Sequence, residues 1–249
     1  MKTMRVAALY DIHGNLPALE AVLREVAEED VDQIVVGGDI VPGPMPRESL
    51  ECLLDLRTPV QFIQGNGDRV VAGQMRGADP EEVPPAFREP IRWVASQLTP
   101  GDRHRLEGWE KTLRIDVPGI GRVLFCHATP RSDVELFTKL TPEDQLVRLF
   151  ENQDASLIVC GHTHMQFDRK VGRVRVVNAG SVGMPFGEPG AYWLLLGSDV
   201  ELRRTQYDLQ AAANRVRATS YPQAGDFAAR NILEPPSETQ MLEAFSRSK

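Results

Sequence analysis

Residues 5–15 read RVAALYDIHGN. An apolar run stops abruptly at Asp11 and continues as Asp11-Ile12-His13-Gly14-Asn15. A short apolar run of this kind predicts a buried strand, here Arg5–Tyr10. The same arrangement recurs along the chain. QIVVGGD (33–39) carries a strand into Gly37-Gly38-Asp39, and VQFIQGNGD (60–68) carries one into Gly65-Asn66-Gly67-Asp68. RVLFCH (122–127) ends in His127, and LIVCGHTH (157–164) ends in Gly161-His162-Thr163-His164. Helical patterns separate the first three runs. Asn15 can cap a helix with Pro17 in its first turn and a stripe of Leu16, Leu19, Leu23 and Val26, and Pro46–Leu56 is a second helix with Leu50, Leu53 and Leu54 inward. Strand–helix–strand spacing predicts a parallel sheet with helical crossovers. In open α/β sheets the ligand crevice lies beyond the carboxyl ends of the strands. Four of the five histidines, with Asp11, Asp39, Asn66 and Asp68, are thereby expected in one place.

Beyond residue 65 the pattern changes. Residues 78–108 are punctuated by Pro80, Pro84, Pro85, Pro90 and Pro100 around an amphipathic segment (Phe87, Ile91, Val94, Leu98), which predicts a helical insertion. Hairpins follow: Thr112–Val117 with Arg122–Cys126, Met165–Lys170 with Arg173–Val177, and Tyr192–Leu196 with Val200–Gln206. A helix near 142–153 and a strand near 156–160 lie between the first two. From residue 208 the chain predicts short helices broken by Pro222, Pro235 and Pro236.

Composition narrows the function classes. The chain has 249 residues, 42% hydrophobic and 25% charged, ordinary for a globular protein large enough to fold without disulfides. No apolar run approaches the 18 or so residues of a membrane span. Three cysteines (Cys52, Cys126, Cys160) and an N-terminus without a secretory core predict a reduced, cytoplasmic protein whose cysteines pack as small hydrophobes. A net charge of −7 argues against a stable nucleic-acid partner, so any phosphate-binding charge must be local. Exposed apolar residues on the insertion or the tail are candidates for a homo-oligomer surface.

Residues i and i+2 of an extended segment share a face, so Asp11 with His13, and His162 with His164, are expected to point into one crevice. Imidazole and carboxylate together suit first-row divalent metals, not an all-oxygen calcium or magnesium cage. Seven ligand positions exceed one open site and fit two metals. A zinc clip is disfavoured because cysteine pairs at finger spacing are absent.

The ordered set resembles the calcineurin-like metallophosphoesterase superfamily, whose pattern runs D-x-H, G-D, G-N-(H or other)-(D or E), a lone H and G-H-x-H. Asn178-Ala179-Gly180-Ser181-Val182-Gly183 is similar to the N-P/A-G-S-V-G stretch of its small bacterial and archaeal members. The resemblance covers about residues 1–205 and implies a metallophosphoesterase domain over 1–207, with 208–249 a helical extension packed on the same domain. It implies an α/β fold, a four-layer α/β/β/α sandwich with mixed sheets, and a two-metal site at the strand ends. One metal would be held by Asp11, His13, Asp39 and His164, the other by Asp39, Asn66, His127 and His162. The implied cofactors are two divalent ions, manganese (Mn2+) first, with iron, nickel or zinc as alternatives. The implied activity is hydrolysis of a phosphodiester or phosphomonoester by a metal-bridging hydroxide, with Asp39, Asn66 and His127 carrying catalysis. The expected partner is a small phosphorylated substrate, a nucleotide or phosphodiester. Asn15 and Arg131 are candidate substrate contacts, although Asn15 also reads as a helix cap and Arg131 as a surface residue.

Many members carry His where this chain has Gly67; its absence predicts a preference for good leaving groups. Asp68 then reads as a turn-capping or Arg69-pairing carboxylate, Asn178 as a turn residue near the site and His104 as a solvated helix residue. Two alternatives stand beside this reading. One is a dinucleoside polyphosphate hydrolase, with the insertion covering a base. The other is a non-catalytic scaffold that kept the fold, disfavoured because all seven ligand positions are filled.

Overall fold

The protein was analysed as a computed structural model, which describes residues 4–78 and 83–247. Pro80 lies outside the described residues. Two five-stranded sheets stack face to face. The first has the order β10-β9-β1-β2-β3, from Val200–Thr205, Ala191–Leu196, Val6–Leu9, Gln33–Val36 and Val60–Phe62. The second has the order β4-β5-β6-β8-β7, from Thr112–Val117, Gly121–Cys126, Leu157–Cys160, Val174–Asn178 and Phe167–Val171. β1, β2 and β3 run parallel, as do β5, β6 and β8, while the other strands join antiparallel, so both sheets are mixed.

The two-residue period of the strands sorts side chains into layers. Val6, Ala8 and Tyr10 enter the core between the sheets with Val35, Val123, Phe125, Val159 and Leu194. Ala7 and Leu9 point the other way, with Ile34, Val36, Trp193 and Leu195, into a core covered by α1 (Leu16–Glu28) and α2 (Pro46–Leu54). On the far side Leu124, Cys126, Ile158 and Cys160 pack with Phe137 and with Leu146 and Phe150 of α6 (Glu143–Phe150). The order is therefore helix, sheet, sheet, helix, as expected. Tyr10 ties the sheets together: its hydroxyl donates to the Val159 carbonyl at 3.1 Å across the fully buried interface.

Several local expectations shift. α2 stops at Leu54, which is 39% exposed and not inward. Asn66 and Asp68, read as a loop after β3, open an unforeseen helix, α3 (Asn66–Met75). Two glycines before and after Asn66 hide its start, yet the Gly65 N–H donates to Asp68 Oδ2 at 3.3 Å and caps it. The insertion is then a helical trio with α4 (Pro85–Gln97) and α5 (Pro100–Gly108). The tail comprises α7 (Leu209–Arg217), α8 (Ala224–Phe227) running into a π-helical turn (Ala228–Leu233), and α9 (Glu238–Arg247). Ala212, Ala213, Val216, Phe227 and Ile232 bury in the same core as α1. Among the described residues no helix is long and apolar enough to cross a membrane.

Replacing Tyr10 by Phe removes the hydrogen bond between the sheets, at a cost of about 1 kcal/mol. A thermal melt is expected to fall by roughly 2–4 °C for a chain of this size; an unchanged midpoint would show that the sheets do not depend on it.

Candidate metal centre

The strands deliver their ends to one edge of the sandwich. Asp11 and His13 follow β1, Asp39 follows β2, Asn66 opens α3 after β3, His127 follows β5, and His162 and His164 follow β6. The structure brings all seven side chains into one cluster. Asp11 Oδ1 lies 3.9 Å from His13 Nε2, 3.9 Å from His127 Nε2 and 3.4 Å from His164 Nε2. Asp39 Oδ2 lies 3.7 Å from both His13 Nε2 and His127 Nε2. His13 Nε2 and His164 Nε2 are 3.2 Å apart. The Asn66 amide reaches His127 Nε2 at 2.9 Å, and the His127 and His162 rings are 5.1 Å apart. Two groups, Asp11–His13–His164 and Asp11–Asp39–His127, each converge closely enough to hold an ion.

The local backbone differs from the extended segments expected. Asp11 (φ +53°), His13 (+48°), Asp39 (+53°), His162 (+64°) and His164 (+56°) are all left-handed. They account for five of the six non-glycine residues with positive φ among those described. Asp11 and His13 converge because the chain reverses at each, not through strand alternation. Left-handed geometry costs about 1–2 kcal/mol per residue, and hydrogen bonds between loops hold it. Asp11 N–H donates to the Gly38 carbonyl (3.1 Å), His13 N–H to Asp39 (2.9 Å) and Gly14 N–H to Ile40 (2.8 Å). The 178–183 segment fastens the other side. Ser181 Oγ donates to the Asp11 carbonyl (2.7 Å), and Asn178 Nδ2 donates to the Gly161 carbonyl (2.6 Å). Gly161 is required: a Cβ there would sit 2.5 Å from both Asp11 Oδ2 and Tyr10 Cδ1.

Each carboxylate uses one oxygen to anchor itself and aims the other inward. Asp11 Oδ2 accepts the His162 N–H (2.8 Å), and Asp39 Oδ1 accepts the Gly67 N–H (2.7 Å). Asp11 Oδ1 is buried and finds no hydrogen-bond donor. An orphaned carboxylate oxygen facing three imidazole nitrogens is what a cation site requires. The imidazoles agree. Nδ1 of His13, His127 and His164 lies 3.1, 2.9 and 2.7 Å from the carbonyls of Pro42, Gly37 and Met184. A carbonyl only accepts, so Nδ1 carries the proton and the Nε2 lone pair faces the cluster. The donor set of carboxylate and imidazole therefore fits first-row divalent ions.

Charge follows the same geometry. Burial alone would raise the Asp11 carboxyl, but the neighbouring His164, His127 and His13 outweigh it and hold the pKa well below the usual carboxylate range. Burial opposes protonation of His127 and His164, yet the acids lift both above an ordinary imidazole, Asp39 leading for His127 and Asp11 for His164. Burial, reinforced by His127, pushes His162 down to about 4, so it is neutral near pH 7. Asp68, buried beside Asp39, is raised to about 7. Its oxygens accept the N–H groups of Ile40 (2.9 Å), Val41 (3.2 Å) and Gly65 (3.3 Å), which shapes the Asp39 turn.

The two candidate substrate contacts sit elsewhere. Asn15 is fully buried; its Oδ1 caps α1 through the Ala18 N–H (3.3 Å) and its Nδ2 donates to the Gly183 carbonyl (2.9 Å). Both polar ends are thus committed to the fold. Arg131 is exposed and paired with Glu135. The arginine that does line the cavity over the cluster is Arg69, paired with Asp133 at 2.6 Å. Its signal was the hidden start of α3, which turns a residue of the first helical turn toward the site. Phe186, stacked on His164 at 5.2 Å, carried no sequence signal because its place depends on the long loop before β9. His104 is exposed on α5, and Cys126 and Cys160 are buried behind the strands, away from the ligand cluster.

Protons compete with a metal ion for Nε2 of His127 and His164, whose pKa values are raised by the neighbouring acids. The affinity of the purified protein for Mn2+ is therefore expected to fall as pH drops through the raised imidazole range. Saturation at about 100 Kd adds about 2.7 kcal/mol of stability, a rise of roughly 5–10 °C in Tm. Asp39→Ala and His127→Ala are expected to lose that shift and the bound metal seen by elemental analysis. Full metal content in both variants would remove them from the ligand set.

The calcineurin-like phosphoesterase superfamily domain matches residues 4–199. An uncharacterized protein of Methanocaldococcus jannaschii, MJ0912, is 27% identical over 242 residues, covering 88% of this chain and 94% of that protein. The hypothetical protein PH1004 from Pyrococcus horikoshii OT3 superposes with a TM-score of 0.81 at 21% identity, over 94% of this chain and 100% of that one. A metallophosphoesterase from Sphaerobacter thermophilus superposes with a TM-score of 0.70 at 26% identity, over 92% of this chain and 99% of that one. With the family's domain matched over most of its length, this chain belongs to the calcineurin-like phosphoesterase superfamily.

Proposed function

We propose that the protein hydrolyses phosphodiester bonds using two divalent ions. Asp11, His13, Asp39 and His164 would hold one ion, and Asp39, Asn66, His127 and His162 the other. The observation that carries this reading is the unpaired, buried Asp11 Oδ1 facing three imidazoles whose Nδ1 atoms are tied to carbonyls. The free Asp39 Oδ2, equidistant from His13 and His127, supports a bridging role for that carboxylate. Such a pair of ions supplies positive charge for the phosphoryl oxygens and lowers the pKa of a bound water. The relationship to the Sphaerobacter thermophilus metallophosphoesterase supports the same chemistry. Manganese is the first choice of metal. The free thiols of Cys52, Cys126 and Cys160 support a reducing, cytoplasmic setting.

The chain's own residues limit the substrate. Gly67 has no side chain to protonate a departing oxygen, and a Cβ there would lie 2.5 Å from Pro42 Cγ and 3.0 Å from Asp39 Oδ1. Leaving groups must therefore depart with little acid help, which favours aryl esters and anhydride-like bonds over alkyl monoesters. Hydrolysis of a dinucleoside polyphosphate is the second reading. It is favoured by a cavity of about 780 Å³ that opens directly on the cluster.

A positioned acid contributes about 10²–10⁴-fold, so aryl diesters should exceed alkyl monoesters by at least about 100-fold. Rates on esters of graded leaving-group pKa should fall steeply with that pKa, and a flat dependence would point to an acid elsewhere. A chelator should abolish turnover and Mn2+ restore it, and Asp39→Ala should remain inactive in excess metal.

A further inference from the structure

The cavity over the cluster is not made by the sandwich alone. It is lined by His13, Asp39 and Asn66 of the cluster, by Phe87 and Ile91 of α4, and by Tyr221 and Phe227 of the tail. The walls are joined to each other and to the metal centre. Gln223 Nε2 donates to the Ala86 carbonyl at 2.9 Å, and Trp93 meets Tyr221 edge-on with centroids 5.3 Å apart. At the rim Phe186 stacks on His164 and meets Phe245 of α9 at 6.2 Å, while Gly187 N–H donates to the Pro236 carbonyl at 2.9 Å. Residues 221–245, beyond the reach of the matched family domain, thus close one side of the site.

The character of these walls points to an occupant. Phe87 is 53% exposed and Val134 49% exposed, both on the cavity, although neither is needed for the core. Large apolar side chains left open beside a polar centre mark a ligand surface. Arg230, from the π-helical turn, also lines the cavity and has no carboxylate partner among the described residues. A guanidinium beside aromatic rings suits a flat ring on which it can stack.

We propose that this cavity seats the organic arm of the phosphoester, and that the arm is a flat, largely apolar ring, with the tail helices as part of the binding wall. The inference rests on the phosphoesterase reading and names its substrate class. The ring could belong to a simple aryl group or to a nucleobase, which share this chemistry.

Binding rather than turnover tests it. Calorimetry on the full-length, Mn2+-loaded protein compares methylphosphonate, phenylphosphonate and adenosine 5′-monophosphate. The phosphoryl group is common, so differences report the arm. At least one ring-bearing ligand is expected to bind about tenfold tighter than methylphosphonate or better. A preference confined to phenylphosphonate assigns an aryl arm, and one confined to the nucleotide assigns a base. Phe87→Ser and Arg230→Ala, both exposed positions, are each expected to cut that preference at least about threefold, with thermal melts verifying the fold. Equal binding of all three ligands, or a preference untouched by both variants, overturns the inference while leaving the phosphoesterase reading intact. Failure of all three to bind a metal-loaded protein that also lacks diesterase activity overturns both.

Discussion

Two carboxylates buried at the edge of a sheet sandwich are the constraint on which this structure turns. Asp11 is fully buried and Asp39 nearly so. An isolated charge there would cost several kcal/mol even after relaxation. Each acid meets the cost with one backbone N–H and a set of imidazoles. The imidazoles are held in turn by carbonyls of Gly37, Pro42 and Met184. Compensation stops one group short, at Asp11 Oδ1. A cation completes that balance more naturally than any side chain in reach, and this deficit links the fold to the chemistry proposed for it.

The same requirement explains the strained backbone. Ligands on adjacent strand ends must aim at one point, and extended chain would spread them along the sheet edge. Left-handed residues turn each side chain back over the strand end. Such conformations persist where the surroundings over-determine them. Here two stacked sheets supply the rigidity, and carbonyl-to-amide bonds between the loops after β1 and β2 lock the turns together. Asp68 contributes from beneath: it satisfies three backbone N–H groups of the Asp39 turn and the α3 start without entering the cluster. Its carboxylate is thereby committed to the loop and helix that carry Asp39 and Asn66.

The walls of the cavity over the cluster come largely from elements outside the sandwich. The insertion helices and the tail share the core beneath α1 and approach each other over the ligand cluster. The Asp/His cluster lies within the matched family domain, whereas the walls above it combine α4 with residues beyond 199. Gly67 belongs to this division as well. It offers no side chain as a proton donor, and the space a Cβ would need is taken by Pro42 and Asp39.

The sequence by itself determined the strand–helix alternation of the first 65 residues and the identity of the clustered side chains, while the layer order followed from the family resemblance. Short apolar runs ending in Asp, Asn or His can be read residue by residue, because an apolar run and its polar stop are local properties. The helix cap at Asn15 was legible for the same reason, and the structure leaves that residue no free amide for substrate. Tertiary structure alone decided how the ligands converge. Left-handed turns at Asp11, His13, His162 and His164 are imposed by bonds to loops distant in sequence, not by the residues themselves. It also decided that Asn66 starts a helix, that Arg69 and Phe186 border the site and that Arg131 does not, and that the tail reaches the metal centre. The positions of Arg69, paired with Asp133, and of the tail, joined to α4 through Gln223 and Ala86, rest on contacts between segments more than 60 residues apart, where no local pattern in the chain carries the information.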